Sequence, residues 1–295
     1  MYDVLIKGGL VVDGTGSAPV RADVGITGAQ ITAVGFDLGD AHRVIDATGH
    51  IVAPGFVDLH THYDGQVSWD NDMAPSSLHG VTTAVMGNCG VGFAPVRPED
   101  HERLIRLMEG VEDIPGSALA EGITWDWESF PEYMSAIDAI PHTIDLCAQV
   151  PHDALRVYVM GERAVADAPA TAADIEQMAK LLAQSLDAGA VGFTTGRSDN
   201  HRTADGDPTP ASEAHEAELV GLSRVFQDRE KGVLQFVSDF NILDGDEHFD
   251  REWGLVASMV RASGGRPLSL SLMQRDQSPN QWQWVLERVS ALREE

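Results

Sequence analysis

The stretch Ile51-Val-Ala-Pro-Gly-Phe-Val-Asp-Leu-His-Thr-His-Tyr-Asp64 decides the fold that the sequence predicts. Its apolar run breaks at Pro54-Gly55, resumes, and ends in two histidines that are one residue apart. Because side chains alternate along a strand, His60 and His62 are expected on the same face. In a parallel barrel, the carboxyl end of such a strand opens into the mouth where active sites lie. Two imidazoles there would form half of a metal site, and two surface histidines in a loop are the alternative.

Length, composition and charge narrow the class of protein. The chain has 295 residues, of which 43% are hydrophobic, which suffices for one large barrel plus a small appendage or for two ordinary domains. A formal net charge of −26 repels phosphate backbones, so nucleic acid is not expected as a partner. No apolar run is long enough to span a bilayer, so no membrane partner is expected either. The N-terminus shows no export signal, and the two cysteines predict no disulfide framework, so we expect a cytoplasmic protein.

The first fifty residues contain short apolar segments that are separated by glycine turns. Residues 2–8 form a candidate strand, and Gly8-Gly9 is expected to turn it into a second one. Residues 22–26 and 30–34 flank Thr27-Gly28-Ala29, a pattern that predicts a hairpin. We therefore expect a small β-sandwich or open sheet, which needs further strands from elsewhere in the fold.

From residue 54 onward, strands alternate with helical patterns, which favours a parallel sheet. Helices are predicted over residues 172–188 with Thr171 as the cap, over 213–228 with Ser212 as the cap, and over 279–295. The candidate strands cover residues 56–60, 82–86, 143–150, 190–194, 232–237 and 267–272.

A closed (β/α)₈ barrel needs eight such units, so this sequence predicts an α/β barrel that is cut short after about six. The expected domains are residues 1–53, a small β-sandwich domain, and residues 54–295, the barrel. An incomplete barrel exposes a sheet edge, which favours self-association into a homo-oligomer.

Four stretches carry a resemblance to a known family. The chain is similar to the amidohydrolase superfamily, in the branch that contains the N-acyl-D-amino-acid deacylases, or D-aminoacylases. The matching stretches are Asp3-Val-Leu-Ile-Lys-Gly-Gly-Leu-Val-Val-Asp-Gly-Thr15, Val44-Ile-Asp-Ala-Thr-Gly-His-Ile-Val-Ala-Pro-Gly-Phe-Val-Asp-Leu-His-Thr-His62, His79-Gly-Val-Thr-Thr-Ala-Val-Met-Gly-Asn-Cys-Gly90 and Trp127-Glu-Ser-Phe-Pro-Glu-Tyr133.

The resemblance implies a metal-dependent, TIM-like barrel beside a composite β-sandwich that is built from both chain termini. It implies a zinc-dependent hydrolase, with one or two ions, that acts on carbon–nitrogen bonds other than peptide bonds in small-molecule amides. In such a reaction the metal activates a water molecule and polarises the amide carbonyl. A carboxylate takes the proton of the water and returns it to the leaving nitrogen.

The resemblance also assigns metal ligands. His60 and His62 match the histidine pair of the first barrel strand, and Cys89 matches a cysteine that ligates the metal at the end of the second strand. Imidazole and thiolate donors suit zinc. The alternative for Cys89 is a buried inert thiol, and Cys147, in the middle of a predicted strand, is expected to pack in the core.

The chain departs from the family pattern in three places. Residues 232–239 contain no histidine at the fifth strand, and residues 268–274 contain none at the sixth. The catalytic aspartate of the eighth strand would lie beyond Glu295. Asp239 and His201 are the candidates to substitute as ligands, although an ordinary loop role is the favoured interpretation of each.

Several weaker candidates complete the predicted site. Asp64 is a candidate for the catalytic carboxylate, with a loop or capping role as the alternative. His152 and Arg156 are candidates for binding substrate, and Arg197 could likewise anchor a carboxylate. The competing hypothesis is a catalytically inactive or truncated amidohydrolase-fold protein that acts in binding or assembly.

Overall fold

A computed structural model describes residues 1–166, 168–240 and 245–295. The chain divides into two units, Met1–Phe56 and Val57–Glu295. Within the described residues, no helix combines the length and the apolar character that crossing a bilayer would require.

The first unit is a five-stranded sheet in the order β3-β2-β1-β4, with β5 also paired to β1. Its buried apolar side chains are small or aliphatic, among them Leu5 and Val24, while Ile31 and Phe36 are more than half exposed. The predicted β unit is thus confirmed as a single open sheet, and the composite sandwich stays a prediction. The strands are β1 (Tyr2–Val11), β2 (Val20–Thr27), β3 (Gln30–Gly35), β4 (Ala41–Asp46) and β5 (Ile51–Val52).

Of the two turns predicted for this sheet, the structure contains one and lacks the other. The predicted hairpin is confirmed, because β2 and β3 pair antiparallel and the chain reverses at Gly28. The predicted turn at Gly8-Gly9 is wrong, because β1 continues through it with a register shift between Ile6 and Gly9. Gly8 adopts a φ of +76°, and its N–H donates to the Asp23 carboxylate at 2.8 Å, which stabilises the irregularity without ending the strand.

The second unit is built on a six-stranded sheet in the order β11-β10-β9-β8-β7-β6. The ladders from β7 through to β11 are parallel, so helices lie in the connections, as the alternating pattern predicts. The strands are β6 (Phe56–Asp58), β7 (Val81–Met86), β8 (Asp145–Pro151), β9 (Gly192–Arg197), β10 (Val233–Ser238) and β11 (Leu268–Leu270).

Nine helices are described, three of them in the long connection between β7 and β8. They are α1 (His101–Glu112), α2 (Gly116–Gly122), α3 (Phe130–Asp138), α4 (His152–Met160), α5 (Glu162–Val165), α6 (Ala172–Asp187), α7 (Glu216–Ser223), α8 (Asp246–Ala262) and α9 (Gln281–Leu292). Their apolar faces and the sheet enclose one core, in which Phe193, Phe226 and Phe236 are fully buried.

The predicted architecture is confirmed: six strands appear where the sequence places them, in an incomplete α/β barrel. β6 is an end strand of this sheet, and Val57 within it and Leu59 just after it are more than half exposed. Self-association through such an edge stays a prediction.

Two details of the prediction require correction. β6 ends at Asp58, so His60 and His62 lie beyond the strand and not within it. Helix α7 begins at Glu216 after His215, and not after Ser212. The Ser212 hydroxyl donates to the Thr209 carbonyl at 2.8 Å, so it closes a turn before the helix and does not cap it.

The N-terminus of α6 agrees with its sequence signal. The Asp174 N–H donates to the Thr171 hydroxyl at 3.2 Å, and the Asp174 carboxylate accepts the Thr171 N–H at 2.7 Å. This reciprocal pair is a capping box, which satisfies two backbone donors that the helix itself leaves free.

We expect Thr171→Ala to lower the free energy of unfolding by about 1 kcal/mol, because the side-chain acceptor at the cap is lost. Thr171→Ser keeps the hydroxyl and should recover most of the loss. Urea denaturation followed by circular dichroism measures both variants. Equal destabilisation by serine and alanine would contradict a capping role for the hydroxyl.

Candidate metal centre

The structure brings together His60, His62 and Cys89, the three residues that the sequence predicts as metal ligands. One donor atom from each lies within 4.8 Å of the others. His60 Nε2 is 3.1 Å from Cys89 Sγ. Cys89 is buried, His62 is partly buried and His60 is exposed, so the group is reached from solvent on the His60 side. Two imidazoles and a thiol at this spacing match the donor set of a catalytic zinc site, which keeps a further position for water or substrate.

The loop after β7 places the Cys89 sulfur in this group. Cys89 itself has a φ of +58°, in the left-handed region that non-glycine residues seldom adopt. Glycine on either side of Asn88-Cys89 makes the tight path possible. At Gly87, which has a φ of +83°, a Cβ atom would lie 2.3 Å from the Gln149 carbonyl oxygen, so a side chain there is excluded.

Hydrogen bonds of two buried amide side chains, Asn88 and Gln235, hold this loop in place. The Asn88 amide donates to the carbonyls of Thr61 and Val85, at 3.0 and 2.8 Å, and so joins the His60–His62 segment to the end of β7. Gln235, on β10, accepts the Cys89 N–H at 2.9 Å and donates to the Asn88 carbonyl oxygen. Because a buried polar group is costly without partners, this network fixes the loop in one arrangement.

Sequence reasoning missed Gln235, although a signal for it exists. The residue interrupts Val233-Leu-Gln-Phe-Val237, an otherwise apolar strand. A glutamine at such a position requires a buried hydrogen-bond partner, so it marks a polar layer inside the barrel.

Two further side chains extend the group. His62 Nε2 lies 3.2 Å from Glu112 Oε1, at the end of α1. Donor atoms of Cys89, Glu112 and His201 form a second set within 4.8 Å of one another. The sequence makes His201 a candidate substitute ligand, and the structure places it at the site. Sequence reasoning missed Glu112, because it is far from the histidines in the chain and no spacing motif includes it.

Burial shifts the pKa values of these side chains in the direction that favours their uncharged forms. Burial, and then the neighbouring His60 and His201, lowers the pKa of His62 to about 3. Burial, followed by the charge of Asp113, raises the pKa of Glu112 to about 7. Burial raises the pKa of the Cys89 thiol well above its usual range, and the Glu112 and Asp64 carboxylates add to this effect. A positive charge is therefore what would stabilise the thiolate here.

Two buried ring nitrogens support the fit of a cation. His62 Nδ1 and His201 Nδ1 are buried and accept or donate no hydrogen bond among the described residues. Ring nitrogens in this state are available as ligands, and neutral imidazole is the form that binds metal. The donor set and its spacing thus fit zinc.

Asp64, the predicted candidate for the catalytic carboxylate, is buried close to the group. Burial raises the pKa of its carboxyl to about 7. Its Oδ2 has no hydrogen-bond partner among the described residues, while its backbone carbonyl accepts the Tyr133 hydroxyl at 3.0 Å. The catalytic role of Asp64 stays a prediction.

His152 and Arg156 make other contacts. Both are fully buried, and both face the Glu218 carboxylate: His152 Nε2 is 2.9 Å from Oε1, and Arg156 Nη1 is 3.5 Å from Oε2. His152 Nδ1 is also 2.9 Å from the Thr195 hydroxyl. These contacts favour a structural role, and substrate binding by His152 and Arg156 stays a prediction.

The remaining candidates are engaged in structural contacts. Arg197 is paired with Glu252, at 3.0 Å between Nη2 and Oε1. Asp239 accepts the Ser198 hydroxyl at 3.0 Å and the Asp199 N–H at 2.7 Å, so it anchors the loop that follows β9. The ordinary loop role favoured for Asp239 from sequence agrees with these contacts.

A model of the amidohydrolase family matches residues 43–292. The chain belongs to the amidohydrolase family. It is 36% identical over 228 residues to an N-acyl-D-glutamate deacylase of Alcaligenes xylosoxydans xylosoxydans, a match that covers 76% of this chain and 41% of the relative. This amidohydrolase chain spans about half the length of the curated relatives it matches.

Solved structures of relatives share the fold of this amidohydrolase. A D-aminoacylase crystal structure superposes with a TM-score of 0.78 at 28% identity, over 100% of this chain and 57% of that one. An N-acyl-D-glutamate deacylase from Bordetella bronchiseptica, in complex with zinc and a phosphonate inhibitor, gives 0.71 at 28% identity, over 99% and 56% of the two chains. The resemblance to the D-aminoacylase branch is confirmed.

The buried contacts of Glu218 lead to a stability prediction. We expect Glu218→Ala to lower the free energy of unfolding by about 3–5 kcal/mol, because it leaves the buried Arg156 charge without a partner. Glu162→Ala removes a carboxylate that is 83% exposed and pairs with Arg103, and it should leave stability nearly unchanged. Urea denaturation measures both, and similar small effects of the two substitutions would contradict a structural role for the His152–Arg156–Glu218 cluster.

Proposed function

We propose that this amidohydrolase uses zinc to hydrolyse small-molecule amides at carbon–nitrogen bonds other than peptide bonds. N-acyl-D-amino acids are the proposed substrate class. The observation that carries the proposal is the convergence of His60, His62 and Cys89 just beyond the carboxyl ends of β6 and β7. The deacylases named above, one of them solved with zinc, support the choice of metal and of substrate class.

The proposed roles of the residues follow from their environment. When bound, zinc would activate a water molecule and polarise the amide carbonyl. His60 and His62 would supply neutral nitrogen donors, and Cys89 a thiolate. Gln235 and Asn88 fix the loop that presents Cys89, so they act as positioning residues. Such outer contacts set the direction of a ligand and tune the metal.

The proposed hydrolysis also requires a group that accepts the proton of the water molecule. Asp64 is the candidate acceptor, because its Oδ2 is buried near the cluster and lacks a hydrogen-bond partner among the residues described. A carboxylate that accepts the proton of water and returns it to the leaving nitrogen completes amide hydrolysis with no other group consumed.

A second candidate function is ligand binding without turnover, in a barrel that keeps the fold. The observation that favours it lies on β10, where the polar side chain facing the cluster is Gln235, engaged with Cys89 and Asn88. The resemblance implies a ligand histidine on this strand. Measured turnover decides between the two functions.

We expect the purified chain to retain zinc through gel filtration and to release free D-amino acids from a panel of N-acetyl-D-amino acids. His60→Ala, His62→Ala and Cys89→Ala should each reduce turnover more than about 100-fold, since losing even the groups that orient metal ligands costs about 10- to 100-fold. Elemental analysis and an amine-release assay give both readouts, with N-acetyl-L-amino acids testing the stereochemical preference.

Matched controls exist within the chain. Cys147→Ala changes a half-buried cysteine on β8, and His42→Ala an exposed histidine on β4, so both should keep zinc and activity. Bound zinc with no turnover of any amide would favour the binding function. A chain that retains no zinc, or a Cys89→Ala variant that behaves as Cys147→Ala does, would refute the proposed site.

A further inference from the structure

We propose that Thr194, a buried threonine on β9, is a positioning residue that holds Cys89 in the conformation in which it can bind the metal. The inference deepens the proposed function, since it rests on the same metal centre and names a further residue that the centre requires. The Thr194 hydroxyl bonds to the backbone at both ends of the tight turn around Cys89, at Gly87 and at Gly90.

A single hydroxyl group makes both contacts. The Thr194 hydroxyl donates to the Gly87 carbonyl and accepts the Gly90 N–H at 3.1 Å. A hydroxyl offers one proton and two lone pairs, so it can bind a carbonyl and an N–H at the same time. Thr194, Gly87 and Gly90 are all buried. Removing the hydroxyl would therefore leave two buried backbone groups without this partner, which is costly.

The turn between the two contacts has an unusual backbone conformation. Gly87 and Gly90 each have a φ of +83°, and Cys89 has a φ of +58°. Glycine adopts such angles readily, but a residue with a side chain does so only where its surroundings enforce it. Gln235 binds the Cys89 N–H in the middle of the turn, and Thr194 binds both of its ends. Together these contacts enforce the conformation of Cys89.

The strand β9 is shaped for close contact with this turn. Because side chains alternate along a strand, Thr194 and Gly196 face the same side of β9. At Gly196, a Cβ atom would lie 2.2 Å from the Cys89 carbonyl oxygen, so a side chain is excluded there. Gly196 thus allows the turn to lie directly against the strand, within reach of the Thr194 hydroxyl.

The opposite side of β9 provides a matched control residue. The Thr195 hydroxyl is 2.9 Å from His152 Nδ1, and the Phe193 ring packs against the His152 ring with centroids 5.1 Å apart. Thr195 and Thr194 are both fully buried. The two adjacent threonines therefore have equal burial, and they differ in whether the hydroxyl binds α4 or the turn around Cys89.

The position of the Cys89 sulfur depends on the backbone that Thr194 holds. In this conformation Cys89 Sγ lies 3.1 Å from His60 Nε2. A change of the Cys89 φ to the common negative range would redirect its Cβ and move the sulfur away from the histidine. Thr194 is therefore expected to act on metal affinity through Cys89, without binding the metal itself.

Zinc affinity, measured by competition with a chelator, tests the inference. We expect Thr194→Val, which keeps the shape and removes the hydroxyl, to weaken zinc binding about 10- to 100-fold, as losing a group that orients a metal ligand does. Thr194→Ser keeps the hydroxyl and should recover most of the affinity. Thr195→Val should keep the wild-type affinity. Circular dichroism checks folding, and Thr194→Ala, which leaves room for a water molecule, serves if the valine variant is unfolded.

Cobalt substitution adds a spectroscopic readout that a purely structural role would not change. At full cobalt loading, the charge-transfer absorption from the Cys89 thiolate should shift or weaken in Thr194→Val and stay unchanged in Thr194→Ser and Thr195→Val. Unchanged zinc affinity and absorption in Thr194→Val, or equal losses in the two valine variants, would overturn the positioning role and leave the proposed function standing.

Hydrogen exchange of the metal-free chain separates this inference from the proposed function. The Gly90 amide should exchange roughly 2- to 10-fold faster in Thr194→Val than in the wild type, the effect of losing one hydrogen bond, and at the wild-type rate in Thr195→Val. A wild-type chain that binds no zinc would refute the proposed function. Equal Gly90 exchange in the two valine variants would refute the role of Thr194, whether or not zinc binds.

Discussion

The hydrogen bond from the Cys89 N–H to the Gln235 side chain is the contact on which the rest of the site depends. It joins the loop after β7 to β10, 146 residues later in the chain. The same glutamine reaches Asn88, and Asn88 in turn holds the carbonyls of Thr61 and Val85. The polar layer therefore connects β7, β10 and the segment that follows β6, and its Asn88 and Gln235 side chains are buried. In such surroundings each hydrogen bond is strong, and each one left unmade is costly.

The fold could be predicted largely from the sequence, because its pattern is local. Alternation of short apolar strands with amphipathic helices is visible along the chain, and the Thr171 cap is a signal of four residues. The errors occurred where a local signal had two outcomes. Gly8-Gly9 permits a turn or a bulge, and the hydrogen bond from the Gly8 N–H to Asp23 accompanies the bulge. Ser212 permits a helix cap or a preceding turn, and its hydroxyl donates to the Thr209 carbonyl and closes the turn.

Of the candidate site, the sequence predicts best the ligands that lie in short motifs. His60 and His62 are one residue apart in the chain, and Asn88-Cys89 is flanked by glycines, so the sequence alone shows both features. Glu112 and His201 come together through the packing of a helix against a loop, and such long-range packing leaves no spacing pattern. For Gln235, the sequence shows that a buried partner is needed, but only the fold shows that the partner is Cys89.

The end of α1 packs closely against the loop that follows β9: at Gly110, a Cβ atom would lie 2.2 Å from the Thr203 carbonyl carbon. Helix ends and loops are the parts of a domain that open locally at low free-energy cost, and here two of them meet at one point with no side chain between them. A ligand that binds the closed arrangement and not the open one shifts the balance toward the closed form. A ligand that contacts both segments would therefore slow amide hydrogen exchange at the end of α1 and in the loop together, as a single cooperative unit.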